Sequence, residues 1–167
     1  PPYVLGILLG DSCLTTQYVN YRNQIEISSD EEDIIIKVAK LLDNADYRWH
    51  SDKNYTNVIF NGDVEIVNDK LKDYNLLCKS IDKYIPTEYL ESSIEQRQEL
   101  LKGLMDSDGC VGQKNRFSFN TTSKQLKDDF VYICRSLGYI VTVYEDKRDT
   151  NICYNIHILT NDIIFSS

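Results

Sequence analysis

Two stretches of this sequence place an aspartate in nearly the same local setting. Residues 4–12 read VLGILLGDS and residues 101–109 read LKGLMDSDG, so Asp11 and Asp108 occupy matching positions. Each stretch is predicted to form an apolar helix that ends at its aspartate. The C-terminus of a helix is already negative, and two carboxylates brought together there repel each other. Because such a site is unfavourable without a cation, we interpret it as functional.

Glycines indicate how the two helices would be held together. Gly6, Gly10 and Gly103 fall within the predicted helices, although each glycine costs a helix about 1 kcal/mol relative to alanine. Glycine is favoured where another backbone must come very close, so we expect the two helices to pack directly against each other. Asp11 and Asp108 would then lie side by side. Carboxylate oxygens suit a hard cation such as Mg²⁺, or Mn²⁺, and both aspartates are candidate ligands.

The two stretches resemble the paired motifs of the LAGLIDADG homing endonucleases, in the single-chain form with two pseudo-repeats. The second stretch is close to the family pattern, and the first resembles the looser version common in inteins, with Ser12 in place of the usual glycine. Residues 83–86 read KYIP, which matches a lysine-x-Ile-Pro element that intein-type members carry before their second motif. The resemblance therefore places Asp11 and Asp108 on the metal-binding acidic position and Lys83 on the family lysine.

This resemblance implies an enzyme, a monomeric endonuclease of intein origin that cuts a long, asymmetric site in double-stranded DNA. Its catalytic residues would be Asp11, Asp108 and Lys83, with a divalent metal (Mg²⁺ or Mn²⁺) on Asp11 and Asp108 and water as the nucleophile. Lys83 would stabilise the developing negative charge or help to activate the water. The alternative is a DNA- or RNA-binding module, such as a maturase or regulator, that keeps the fold and does not cleave. A protein-interaction module without nucleic acid is a further rival.

The predicted fold class is α+β, with a first half at 1–95 and a second half at 96–167. Each half shows the order helix, two strands, helix, two strands, and the first half adds a further helix. The resemblance implies that the antiparallel sheets form a saddle on DNA, with the motif helices at its centre. The predicted strands are 13–20, 22–28, 47–49, 55–60, 115–121, 139–144 and 151–159. Beyond the two motifs, one helix is predicted to be capped by Ser28 or Ser29, a second to span residues 64–77, and a third to be capped by Ser123.

Alternation along the strands identifies side chains that would face DNA. Two-stranded ribbons fit the major groove, where Arg, Gln and Asn are suited to reading base edges. The outward positions predicted to face bases are Arg22, Gln24, Arg116, Ser118 and Asn120. The residues predicted to approach phosphates are Lys53, Lys114, Lys147 and Arg148.

Overall charge argues against a nucleic-acid partner. The chain of 167 residues has a net charge of −8 and a pI near 4.7, whereas DNA-binding proteins usually carry clustered Lys and Arg. The charge is uneven, because residues 111–157 hold seven basic and five acidic side chains. A locally basic face is therefore still possible on sequence grounds.

Cysteine usage and hydropathy bear on the cellular setting. The five cysteines are widely spaced with no CxxC pair, which favours reduced thiols in an intracellular protein, cytoplasmic or nuclear. No apolar run approaches the length of a membrane span, so we expect no membrane partner.

The two halves differ in one chemical respect. A lysine related to Lys83 by the repeat would fall beyond the end of the chain at Ser167. The sequence leaves two explanations open. Either the second half is truncated at its C-terminus, or the two sites are unequal and cut one strand less efficiently.

Overall fold

The computed structural model describes residues 1–11, 14, 24–52, 55–61, 64–112, 116–147 and 151–165. Within these ranges, six helices and two antiparallel sheets form an α+β architecture, which confirms the predicted class. In chain order the elements are α1 (Pro2–Asp11), β1 (Ile25–Ser28), α2 (Glu32–Leu41), β2 (Asp46–Asp52), β3 (Tyr55–Asn61), α3 (Glu65–Asp73), a 3-10 turn (Ser80–Asp82), α4 (Thr87–Leu90), α5 (Ile94–Asp108), β4 (Gly109–Val111), β5 (Arg116–Thr121), α6 (Lys124–Ser136), β6 (Ile140–Lys147) and β7 (Ile152–Leu159).

The motif helices α1 and α5 pack with their backbones in contact, as the glycines predicted. A Cβ atom placed on Gly6 would lie 2.4 Å from the carbonyl oxygen of Leu100, and one on Gly103 would lie 2.2 Å from that of Tyr3. Both distances are far below van der Waals contact, so only glycine permits this approach. Residues 3–9 of α1 are all buried, as expected for a helix that is apolar on every side.

The first sheet has the strand order β1-β3-β2, and the second has the order β4-β5-β7-β6. Alternate residues of β1, β3, β5 and β7 face the core. In the first sheet Ile27 pairs with Val58, and in the second Phe119 pairs with Ile156; all four side chains are buried. The residues between them form the opposite surface of each sheet, which we call its outer face.

Several boundaries differ from those that the sequence predicts. Helix α3 ends at Asp73 rather than near residue 77, because Asn75 takes a left-handed conformation (φ 52°) that a helix cannot contain. Strand β1 is described from Ile25 onward, and of the strand predicted at 13–20 only Leu14 lies within the described residues. In the predicted hairpin, Lys147 pairs with Ile152, while residues 148–150 also lie outside the described part.

Helix α5 begins with a capping box, in which Ser93 accepts from the Gln96 backbone N–H and the Gln96 side chain accepts from Ser93 N–H. This arrangement satisfies two of the free donors at the helix start. None of the helices in the described ranges is long and apolar enough to cross a membrane.

Candidate active site

The two motif helices end beside each other. Helix α1 ends at Asp11 and helix α5 ends at Asp108. A Cβ atom on Gly10 would lie 1.8 Å from Ser107 Oγ and 3.6 Å from Asp108 Cβ. Asp108 therefore lies against Gly10, the residue that precedes Asp11. The side chain of Asp11 lies outside the part of the structure that is described.

Asp108 is exposed to solvent on one side, yet the surrounding helix ends withdraw its carboxyl group from water. This desolvation raises the pKa of Asp108 above its usual range, and the positive charge of Lys83 acts in the opposite direction and lowers it. The net pKa is raised. A carboxylate in this setting gains more from a nearby cation than a fully hydrated carboxylate does.

Lys83 is 3% exposed and reaches the C-terminal end of α1. Its Nζ atom donates to the carbonyl oxygens of Leu9 at 2.9 Å, Gly10 at 3.3 Å and Leu8 at 3.5 Å. These carbonyls belong to the last turn of α1, where the helix supplies no partner for them. The buried ammonium group therefore offsets the negative end of the helix immediately before Asp11.

The segment that carries Lys83 is fixed by helix α6. The hydroxyl of Ser123, which is the N-cap of α6, donates to the carbonyl oxygen of Lys83 at 2.5 Å. Two residues later, the backbone N–H of Ile85 donates to Asp129 Oδ2 at 2.8 Å. Burial raises the pKa of Asp129, while the N–H of Ile85 and the amide of Gln125 act to lower it. Ser123 and Asp129 are thus positioning residues for Lys83.

Sequence reasoning identified Lys83 but missed Ser123 and Asp129 in this role. Ser123 was recognised only as a helix cap, and it serves as one: its hydroxyl accepts from Leu126 N–H while donating to Lys83. The signal that could have found it is weak, because the two residues are 40 positions apart along the chain.

The second sheet brings together three of the predicted DNA-facing residues. Arg116, Ser118 and Asn120 share the outer face of β5, and their partners across the strand pair are Leu159, His157 and Asn155 respectively. Lys147 does not lie on this face. It is an even number of residues from Val141 along β6, and Val141 pairs with the buried Ile158, so Lys147 belongs to the opposite surface of the sheet. There it lines a cleft with Lys124 and Asp128.

The first sheet contains one described member of the predicted set, Gln24, just before β1. Its Nε2 atom donates to Asn61 Oδ1 at 2.8 Å. The other four residues predicted to contact DNA lie outside the described ranges: Arg22, Lys53, Lys114 and Arg148.

Other outer-face side chains were not identified from the sequence. On the second sheet they include Asn155 and His157, and on the first they include His50 and Asn57. Asn155 and His157 alternate with the buried Ile156 and Ile158 in the sequence, and this alternation could have identified Asn155 and His157 as outer-face residues.

Comparison with protein-family models finds a match to the family described as Homing endonuclease, over residues 84–167. The replicative DNA helicase DnaB of Mycobacterium intracellulare is 30% identical over 139 residues, which are 83% of this chain and 19% of that protein. The chain thus spans about a fifth of the length of this relative.

Solved structures share the fold. The crystal structure of I-DmoI in complex with DNA and Mn has a TM-score of 0.61 at 15% identity, covering 94% of this chain and 87% of that chain. I-DmoI with DNA and Ca has a TM-score of 0.64 at 14% identity, covering 94% and 81%. The N-terminal LAGLIDADG domain of WhiA has a TM-score of 0.58 at 11% identity, covering 95% and 74%. These similarities establish the LAGLIDADG fold.

Proposed function

We propose that this chain, which belongs to the homing endonuclease family, hydrolyses phosphodiester bonds at a specific site in double-stranded DNA. The observation that carries this proposal is the meeting of the two motif-helix ends. Gly10 lies against Asp108, and Lys83 binds the last carbonyls of α1 at the same place. Both halves of one chain contribute to this centre, so we propose that the enzyme works as a monomer.

The residues at this centre fit a divalent cation. Asp108 supplies carboxylate oxygens in a setting whose partial burial raises its pKa, and Asp11 ends the neighbouring helix. Hard oxygen donors are what Mg²⁺ and Mn²⁺ prefer. When bound, the cation stabilises the negative charge that develops at the scissile phosphate and makes water a better nucleophile. The I-DmoI structures that share this fold contain DNA with Mn or Ca.

Lys83 contributes its fixed positive charge. Its ammonium group lowers the pKa of Asp108 and so favours the ionised carboxylate. It also offsets the negative end of α1, which lowers the electrostatic cost of bringing a phosphate to this place. Since Lys83 is buried and engaged by backbone carbonyls, we propose that it acts as a fixed charge and not as the base that removes a proton.

The outer faces of the two sheets are the proposed DNA-contacting surfaces. The centre of the second sheet's outer face is polar and uncharged (Ser118, Asn120, Asn155 and His157), which suits contact with base edges more than with phosphates. The outer face of the first sheet also carries Glu26, Asp46 and Arg48. The predicted phosphate contacts, Lys53, Lys114 and Arg148, remain part of the proposal. For Lys147, the register favours a contact outside this surface.

The match to DnaB supports an intein origin. A homing endonuclease chain that matches one fifth of a replicative helicase fits a mobile element inserted into a host protein. The four described cysteines are all unpaired, which supports an intracellular setting. A long, asymmetric target follows from two non-identical sheets within one chain.

The decisive experiment is cleavage of a randomised duplex library in Mg²⁺ by the wild type and by Asp108→Asn. We expect product only with the metal and with Asp108 intact. The matched control is Asp73→Asn, because Asp73 also ends a helix, but that helix is α3 and not one of the two motif helices. Cutting that survives Asp108→Asn would reject the proposed site.

The same experiment tests the alternative, a DNA- or RNA-binding module that does not cleave. Salt-dependent retention of duplexes without product would favour that reading. Neither retention nor product would favour the protein-interaction reading that the acidic pI suggested.

We further propose that the two strands are cut at unequal rates, because Lys83 donates hydrogen bonds to the end of α1 and acts on Asp108 at the end of α5 only through its charge. On a supercoiled plasmid carrying the target, nicked circles should accumulate before linear product. Simultaneous cutting of both strands would contradict this proposal.

A further inference from the structure

Two asparagines lie in register on the outer face of the second sheet. Asn120 of β5 pairs directly with Asn155 of β7, and directly opposed residues in an antiparallel pair have Cβ atoms about 4.5–5.5 Å apart. Asn120 is exposed and Asn155 is half-buried. We call these two residues the amide pair.

The amides of the first sheet are engaged differently. Asn61 accepts from Gln24, while Asn57 accepts from Ser28 and donates to Glu26. For the amide pair, by contrast, no side-chain hydrogen bond is found within the described residues. Each member therefore presents a donor and an acceptor to whatever lies on the outer face.

On one side the amide pair has uncharged neighbours, whereas on the other side the adjacent row contains Asp146 of β6, opposite Cys153. Ser118, His157 and Thr142 form the uncharged row across the sheet, and the Tyr144 ring stands edge-on to His157 at 5.3 Å. The guanidinium of Arg116 is two rows away, opposite Leu159 at the end of the strand pair. The centre of this face thus offers amides where a guanine-reading surface would offer arginine.

We propose that the amide pair reads adenines, so that the half-site under the second sheet contains adjacent A·T base pairs. An asparagine amide matches the N6 donor and N7 acceptor of adenine in the major groove, whereas arginine matches guanine. Two amides about 5 Å apart can address neighbouring base pairs, whose rise is about 3.4 Å. This inference rests on the proposed function, in which the outer faces contact duplex DNA.

The test is selection from a randomised duplex library by binding in the absence of divalent cation, followed by sequencing of the retained duplexes. The wild type should fix A·T at two adjacent positions. Asn120→Ala and Asn155→Ala should each relax one of these positions, with a loss of discrimination of about 5- to 150-fold, the range for one bidentate contact. Both changes affect outer-face side chains, and unchanged thermal melting would show that folding is intact.

A substitution that exchanges the preference sharpens the test. Asn155→Asp keeps the shape of the side chain but removes the donor, and a carboxylate accepts from the N4 amino group of cytosine. At the position contacted by residue 155, the base found in the retained duplexes should change from adenine to cytosine. The control Tyr132→Ala changes an exposed side chain of helix α6, outside both sheets, and it should leave both A·T positions unchanged.

The outcomes separate this inference from the function beneath it. A fixed G·C pair at these positions, or A·T preference that survives both alanine variants, would overturn the inference while leaving DNA binding in place. A folded wild type that retains no duplex at low salt would instead reject the proposed function, and the adenine reading with it.

Discussion

The ends of the two motif helices are related by the sequence repeat, but different groups donate hydrogen bonds to their last carbonyl oxygens. At the end of α1, the carbonyls of Leu9 and Gly10 accept hydrogen bonds from the buried ammonium of Lys83. At the end of α5, the recorded partners are local: Ser107 Oγ donates to the carbonyl of Leu104, and Gly109 N–H donates to that of Met105. The ammonium of Lys83 is therefore hydrogen-bonded to the end of α1, whereas it acts on Asp108 at the end of α5 only through its charge.

This difference shows how a two-fold pattern in sequence can give an electrostatically uneven centre. Burial at Asp108 raises its pKa, and the only opposing charge recorded there among described residues is that of Lys83, which belongs to the first half. Each half thus depends on the other. The first half supplies the cation that opposes the rise in the pKa of the second half's carboxyl group.

The largest expected effect comes from removing that charge. In Lys83→Met, we expect cleavage to fall by about 10²- to 10³-fold, the usual effect of losing one group that stabilises a developing charge. Because Lys83 lowers the pKa of Asp108, its loss should raise that pKa further. The acidic limb of the pH–rate profile should then move to higher pH, since cleavage requires the ionised carboxylate.

The control for this change is Lys79→Met, which alters an exposed lysine four residues earlier. It should change neither the rate nor the profile. A rate loss in Lys83→Met without movement of the acidic limb would show that the lysine acts only on the phosphate. That result would contradict the proposed electrostatic coupling between Lys83 of the first half and Asp108 of the second.

A smaller effect is expected from the contact that brings the two ends together. In Gly103→Ala, the new methyl group would lie 2.2 Å from the carbonyl oxygen of Tyr3, so α1 and α5 must separate. We expect a loss of about 1–3 kcal/mol in the free energy of unfolding, the range for an overpacked core, measured by urea denaturation. Gly138→Ala is a useful comparison, because a Cβ atom there meets nothing within 4 Å and its cost comes only from a φ of +86°. A smaller loss at Gly103 than at Gly138 would contradict the close packing.

Much of this centre could be predicted from sequence because its signals are local. The repeated motif marks Asp11 and Asp108, and glycines in an apolar helix imply close backbone contact, which the structure confirms at Gly6 and Gly103. Such features need only neighbours along the chain. The helix after Val64 was predicted too long because its apolar pattern continues past Asn75, where the backbone conformation ends the helix.

The missed features depend on register and on distant partners. Asp129 holds Ile85 across 44 positions of sequence, and an exposed-looking aspartate on a helix gives no sign of that bond. Likewise, Asn155 becomes interesting only when the pairing of β5 with β7 sets it opposite Asn120. Pairing between distant segments is set by the whole fold, and the alternation of one strand does not contain it.

The smallest predicted effect concerns stability at the α5 end. Since the folded state raises the pKa of Asp108 above its unfolded value, the ionised carboxylate opposes folding at neutral pH. This penalty disappears as pH falls below the unfolded pKa, where the group is protonated in both states. Asp108→Asn should therefore be slightly more stable than the wild type at pH 7, and the difference should vanish in acid. Thermal unfolding of both proteins across pH, without divalent cation, measures this directly. A variant that is less stable at pH 7 would mean that the charge of Lys83 outweighs the desolvation of Asp108. The α5 end would then favour its anion even without a cation, and the difference between the two helix ends would be smaller than their hydrogen bonds indicate.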